Sequence, residues 1–293
     1  MSAAVDAGAA SFEAHRRVLI GLAYRMLGSR AEAEDVVQDA YLRWHGADRA
    51  AVIEPRRYLG TVVTRLCIDR LKSARARREL YVGPWLPEPV VDERFDESGA
   101  DELAEDISFA LMLLLERLSP LERASFVLHD AFGLEFAEVA RALGRNEAAC
   151  RQLAARARAH IEAGRPRFPA SRGEASRLAE AFHAAVMSGD TAALARLLAE
   201  DAVLHSDGGG KRAAALNPIR GADKIIRFFT AIAREEAALV ASQSRPATVN
   251  GLAGFVVREP DGLIDTVAFE TNNGRITAIY LTRNPDKLRH VQF

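Results

Sequence analysis

The residues best equipped for chemistry are two clusters of arginine, and their chemistry is phosphate neutralisation. Arg65, Arg70, Lys72, Arg75, Arg77 and Arg78 form one basic stretch, opposed locally only by Asp69 and Glu79. Arg141, Arg145, Arg151, Arg156, Arg158, Arg165 and Arg167 form a second. Clustered guanidinium groups displace counterions from a nucleic-acid backbone, and that release drives binding. Between the clusters, Glu88 to Asp106 is acidic: Asp92, Glu93, Asp96, Glu97, Asp101, Glu102, Glu105 and Asp106 stand against the single base Arg94. The formal net charge of −1 is an average over segments of opposite sign.

Arginines read DNA only when an element holds them in place. Residues 12 to 79 carry apolar residues at helical spacing, as in Val37, Ala40, Tyr41 and Trp44. Gly28-Ser29 breaks the first helix, and Pro55 opens the helix that runs into the first basic cluster. A helical pattern returns from Ile107 to Ile161, with Ser119-Pro120 as a cap and first-turn proline. There Phe136 to Leu143, the turn Gly144-Arg145-Asn146 and a helix from Glu147 have helix-turn-helix spacing. With about 100° per residue, Cys150, Leu153, Ala154, Ala157 and Ile161 share a buried side. Arg151, Gln152, Ala155 and Arg156 fall opposite, where side chains can reach bases and phosphates. The motif alone fits a DNA reader and a helical hairpin with solvated arginines equally. In the first helical segment Glu34, Asp35, Gln38 and Asp39 form an exposed face, which by itself reads as a solvated helix surface.

Residues 81 to 106 begin Tyr81-Val82-Gly83-Pro84-Trp85-Leu86-Pro87-Glu88-Pro89, which excludes a helix interior and reads as a linker. Trp85 and Leu86 are too apolar for a solvated tether and predict docking. After Arg172 two helices, Ala175 to Ser188 and Thr191 to Leu198, precede strand-like segments at Ala202 to His205, Leu252 to Arg258, Gly262 to Thr271 and Arg275 to Thr282. A helix from Ala222 to Arg234 lies between them, which predicts an α+β domain. A length of 293 residues exceeds one ordinary core, and 49% hydrophobic with 27% charged residues is globular composition. No segment has the signature of a secretion signal or membrane span, so the expected location is cytoplasmic. Cys67 and Cys150 lack partners at metal-ligand spacing, and no metal or cofactor is expected.

At this point the sequence resembles a known family. Leu22-Ala23-Tyr24-Arg25-Met26-Leu27-Gly28 and Ala33 to Trp44 are similar to region 2 of the extracytoplasmic-function (ECF) sigma factors. Leu118-Ser119-Pro120-Leu121-Glu122-Arg123 and Phe136 to Ile161 are similar to their region 4. Trp85 to Pro89, Asp207-Gly208-Gly209-Gly210 and Asn284-Pro285-Asp286-Lys287-Leu288 resemble motifs of a sigma-factor group with a C-terminal SnoaL-like domain. The resemblance implies a multidomain fold: two all-α sigma domains at 10–80 and 107–168, a linker at 81–106, and an α+β SnoaL-like conical barrel at 173–293. It implies bacterial core RNA polymerase as partner, through its β′ clamp helices and β flap, and promoter DNA. Asp35, Gln38 and Asp39 would bind the clamp helices. Arg65, Arg70, Lys72 and Arg75 would lie at the −10 element, although many such sigma factors carry Asn where this chain has Arg65. Arg145, Asn146, Arg151, Gln152 and Arg156 would meet the −35 element in the major groove.

A sigma factor needs no catalytic residue; it supplies binding energy that places the polymerase. The C-terminal domain is expected to regulate from within the chain, with the Asp207-Gly208-Gly209-Gly210 loop and the Asn284-Pro285-Asp286-Lys287-Leu288 segment holding the linker, by its docking side chains Trp85 and Leu86, or the sigma domains in a set arrangement. SnoaL-like relatives include cyclases and isomerases, so the alternative is an active domain or a sensor that binds a small ligand, with His205, Asp207 and Asp265 as candidate general bases. A further alternative is a DNA-binding repressor that never contacts polymerase.

Overall fold

The computed structural model describes residues 2–48, 51–79, 81–92, 108–163, 171–235 and 243–293. The chain forms two compact units, Met1–Glu79 with Leu111–Arg165, and Leu80–Ala110 with Pro166–Phe293. Among the described residues no helix is long and apolar enough to cross a membrane.

The first unit is helical. Helix α1 (Ser2–Leu27) ends at Gly28, whose φ of +68° suits a residue without a side chain. Ser29 then caps α2 (Arg30–His45) by accepting from the Glu32 N–H at 3.1 Å. Helix α2 buries Ala33, Val36, Val37, Ala40 and Trp44, and α3 (Pro55–Glu79) completes the bundle, with Tyr58 5.8 Å from Trp44 between ring centroids. Helix α4 (Phe109–Glu116) is followed by α5 (Pro120–Phe126), which opens with a reciprocal Ser119–Glu122 capping box. A π-helical turn, Val127–Ala131, leads to α6 (Phe136–Leu143) and α7 (Glu147–Glu162). Gly144 at φ +63° stops α6, and the Asn146 side chain accepts from the Ala149 N–H at 2.8 Å to start α7.

The two helical segments, expected as separate modules, share this one unit. Arg123, 2% exposed, holds them together. Its guanidinium donates to the Met26 carbonyl of α1 at 2.6 Å and the Leu115 carbonyl of α4 at 2.7 Å, and lies 2.7 Å from the Glu116 carboxylate. Burial pulls its pKa down to about 9, so the group stays charged at neutral pH. Phe132 packs so closely on Gly60 that a Cβ there would lie 2.6 Å from the ring.

The second unit is α+β, as expected. Helices α8 (Arg172–Ser188) and α9 (Thr191–Leu197) precede β2 (Leu198–Asp207), β3 (Ile219–Arg220) and α10 (Ala222–Glu235). Strands β4 (Gln243–Val249), β5 (Leu252–Arg258), β6 (Ile264–Asn272) and β7 (Arg275–Thr282) follow, then a single turn, α11 (Pro285–Leu288). A short strand from the linker, β1 (Val91–Asp92), joins the sheet, giving the order β1-β4-β5-β6-β7-β2-β3. Among the described residues only the β2–β7 pair is parallel.

One face of the sheet, with Leu204, Phe255, Phe269, Ile279 and Leu281, is covered by the three helices α8 to α10. Phe182 of α8 is central there, 5.1 Å from Phe269 and 5.2 Å from Phe229 between centroids. The sequence expectation omitted β1, β3 and β4, and began β2 at Ala202. Strand β4 carries Pro246 and polar residues on an outer position of the sheet, which masks strand patterning.

The Arg123 arrangement predicts the response to its loss. Arg123→Met should remove about 3 kcal/mol of unfolding free energy, because carbonyls and a carboxylate lose their buried counter-charge. A lower urea midpoint for the helical transition checks this; an unchanged midpoint contradicts it.

Candidate functional site

The acidic face of α2 lies open. Residues 35, 38, 39 and 42 recur at helical spacing on the side opposite the buried stripe. The Asp35 side chain is 71% exposed and Asp39 49%, Gln38 is exposed, and Leu42, at 62%, adds an apolar group to the same face. Arg70 of α3 reaches across to this face, with its guanidinium 3.2 Å from Asp39 Oδ2 and 3.5 Å from Asp35 Oδ2.

The arginines of the first cluster divide by environment. Arg65 donates from Nε to the Ala142 carbonyl and from Nη2 to the Arg141 carbonyl, both at 2.8 Å. It therefore serves the C-terminal end of α6, where unpaired carbonyls attract cations. One turn pair earlier, Arg57 donates to Glu138 of α6 at 2.7 Å, which draws the Glu138 carboxyl below its ordinary pKa against the opposing effect of burial. Lys72 pairs with Asp69 on its own helix at 2.9 Å. The side chains of Arg75, Arg77 and Arg78 lie outside the described residues, as do Arg165 and Arg167 and the acidic run from Glu93 to Asp106.

In the helix-turn-helix, Cys150, Leu153, Ala154, Ala157 and Ile161 are buried and Arg151, Gln152 and Arg156 are exposed, as the periodicity requires. Arg151 pairs with Glu147 one turn away at 2.6 Å, and Arg156 with Glu122 at 2.9 Å. Arg145 stands exposed in the turn, while Asn146 uses its side-chain oxygen as the α7 cap.

The linker motif and the two C-terminal motifs come together inside the second unit. Asp207, at the end of β2, has no exposed surface. Its carboxylate accepts from the Tyr81 hydroxyl at 2.6 Å, the Leu86 N–H at 2.8 Å, the Gly209 N–H at 3.0 Å and Lys287 Nζ at 2.7 Å. Lys287 also donates to the Leu86 carbonyl and sits over the rings of Trp85, at 4.3 Å, and Tyr81, at 4.8 Å. Asn284 donates to the Tyr81 oxygen at 2.8 Å and caps α11 by accepting from the Asp286 N–H at 3.0 Å. Asp286, beside Pro285, pairs with Lys211 and Arg289.

The glycines of the Asp207 loop are dictated by space. A Cβ at Gly208 would lie 2.2 Å from the Arg212 carbonyl, and one at Gly209, which has φ +60°, 2.2 Å from Asn284 Nδ2. Further along, His290 donates to the Pro89 carbonyl at 2.8 Å, and Asn250 exchanges bonds with both backbone groups of Val90 at 2.9 and 2.8 Å. Asn250 and His290 were not expected as linker contacts. Lys287 stood inside a motif already singled out, whereas these two carry no local signal.

The sequence matches the family descriptions Sigma-70 region 2 over residues 11–77 and Sigma-70, region 4 over residues 108–161. It is 40% identical over 291 residues to the ECF RNA polymerase sigma factor SigJ of Mycobacterium tuberculosis, covering 94% of this chain and 91% of that protein. This chain belongs to the ECF sigma factors. A probable ECF sigma factor from the same organism, SigI, is 32% identical, with 97% of this chain and 95% of SigI covered. The crystal structure of SigJ superposes with a TM-score of 0.78 at 36% identity, covering 96% of this chain and 98% of that one. As an ECF sigma factor the chain binds core RNA polymerase and promoter DNA to begin transcription.

In this sigma factor the three candidate general bases do not converge. His205 and Asp207 point to the linker side of the sheet, where His205 stacks on Tyr280 at 5.5 Å and Phe109 stacks on the same ring at 5.0 Å. Asp265 points to the other face, 2.8 Å from Arg283 Nε, with Glu259 3.6 Å from the same guanidinium. Arg283 also donates to the Ala213 carbonyl at 3.1 Å, so the cluster ties the loop after Asp207 to the sheet.

Burial and the adjacent Asp265 hold the Glu259 pKa above the ordinary carboxylate value, against the pull of Arg283 and Arg212. Burial also raises Asp265, opposed chiefly by Arg283. A carboxyl with a raised folded pKa stabilises the fold in its neutral form; that contribution is complete below the unfolded value and fades as pH climbs through the folded one. Glu259→Gln should therefore flatten the fall in melting temperature as pH rises above the ordinary carboxylate range. Parallel pH profiles for the variant and the parent would contradict the assignment.

Proposed function

We propose that Asp35, Gln38 and Asp39 dock this sigma factor on the basic β′ clamp helices of the polymerase, and that the helix-turn-helix region meets the β flap. Exposed carboxylates around the exposed Leu42 support this reading, since a charged rim about an apolar group is the usual anatomy of an interface. Arg70, Lys72 and Arg75 serve the −10 element, and Arg145, Asn146, Arg151, Gln152 and Arg156 the −35 element. Arg65 joins the −10 set only after leaving the α6 carbonyls. Elements about 25 base pairs apart are separated by roughly 85 Å along B-form DNA, whereas Arg65 and Arg141 are joined at 2.8 Å. Promoter engagement on this reading opens the helical unit.

The C-terminal domain regulates by holding the connection between the two promoter-reading regions. The observation that carries this is the placement of Leu80–Ala110 in the second unit, fastened by Asp207 and Lys287. Any separation of regions 2 and 4 has to work against that fastening.

Asp35→Arg should lower affinity for core polymerase more than tenfold without altering the circular dichroism spectrum, as like charges then meet across the interface. Retained pull-down of core would exclude the proposed docking face. Asp207→Asn in the full-length chain should accelerate protease cleavage within residues 81–92 and change run-off transcript yield at least twofold. Unchanged yield despite faster cleavage would show that the fastening has no regulatory role.

A further inference from the structure

We propose that Arg70 is a tethered competitor for the acidic face of α2, occupying Asp35 and Asp39 until the polymerase displaces it. The inference rests on the docking face proposed above and adds to it a residue that sets its affinity. Arg70 lies on α3, yet its guanidinium is committed to α2: Nη2 is 3.2 Å from Asp39 Oδ2, and Nη1 is 3.5 Å from both Asp35 Oδ2 and the Glu32 carbonyl. One cation thus bridges both acids that a basic partner would use.

The neighbouring charges are engaged elsewhere. Glu34 pairs with Arg30 at 3.0 Å, and Lys72 with Asp69 at 2.9 Å. Exposure decides how the Arg70 contact behaves. Arg70 is 30% exposed, Asp39 49% and Asp35 71%, so the bridge is reached by water and salt. Such a pair is easily exchanged for another guanidinium or ammonium group, unlike a desolvated one. A partner surface bearing Arg or Lys would supply the replacement. The displaced Arg70 then projects from the helix that carries Lys72, as an added positive charge available to DNA phosphates. By linkage, each ligand strengthens the other: polymerase frees Arg70 for DNA, and DNA that engages Arg70 uncovers the acids for polymerase.

The test is equilibrium binding of the full-length chain to core RNA polymerase, by fluorescence anisotropy, in a cycle of Arg70→Ala, the double change Asp35→Asn with Asp39→Asn, and their combination. Arg70→Gln, which keeps most of the stem, runs in parallel, and thermal melting confirms that each variant folds. Removing the Arg70 charge should tighten core binding about two- to fivefold, the range expected for an exposed ion pair. That gain should vanish when both acids are already amides. In a second readout, binding of the free chain to a promoter DNA fragment, the double amide should tighten binding only when Arg70 is present.

If Arg70→Ala and Arg70→Gln leave core affinity unchanged or weaken it, while the double amide weakens it, the competitor is overturned and the docking face stands. An equal gain in DNA affinity from the amides with or without Arg70 also overturns it. If the double amide leaves core affinity untouched in both backgrounds, the docking face itself fails and the inference falls with it.

Discussion

A carboxylate with no exposed surface has to be matched by donors, and the architecture of the second unit follows from how Asp207 is matched. Its four partners come from the linker, the glycine loop and the C-terminal turn, three pieces of chain far apart in sequence. Lys287 supplies the counter-charge and is itself enclosed by Trp85 and Tyr81. Removing any one piece leaves a buried charge short of partners, so the three are present together or not at all. This interdependence makes the linker a structural part of the C-terminal domain.

The helical unit uses charge in a different way. Arg123 and Arg65 spend their donors on backbone carbonyls near helix ends, where partial negative charge collects. Arg123 is buried, and its contacts give way only if the helical unit opens, whereas the exposed Arg65 and Arg57 and the half-buried Arg70 hold contacts that water can replace. On the proposed reading Arg65 and Arg70 serve both their own fold and nucleic acid, and their access to solvent separates them from Arg123.

Much of this was legible in the residues. Ser29 and Ser119 announced helix starts because a capping side chain acts within its own turn. The buried stripe of α7 followed from period alone, and the tryptophan-leucine pair betrayed a docking segment. Long-range partners were less legible. Nothing near Arg65 indicates that it serves carbonyls 76 and 77 residues away, and nothing near Asp35 indicates Arg70. Strand β4 was concealed by Pro246, yet Asn250-Gly251 after it, both at positive φ, is a hairpin-turn signal that could have revealed it. Asn273-Gly274 marks the β6–β7 turn in the same manner.

The pairing of Val91 and Asp92 with β4 has a consequence for how the protein can be divided. A sheet margin with unsatisfied amides and carbonyls invites strands from other molecules. Here part of that margin is sealed by residues that precede region 4 in the chain, assisted by the bonds between Val90 and Asn250. A fragment cut to begin at residue 173 would lack this seal, leaving β4 open to self-association. The natural unit for expressing the C-terminal domain alone includes the linker, supplied in the same chain or as a separate peptide.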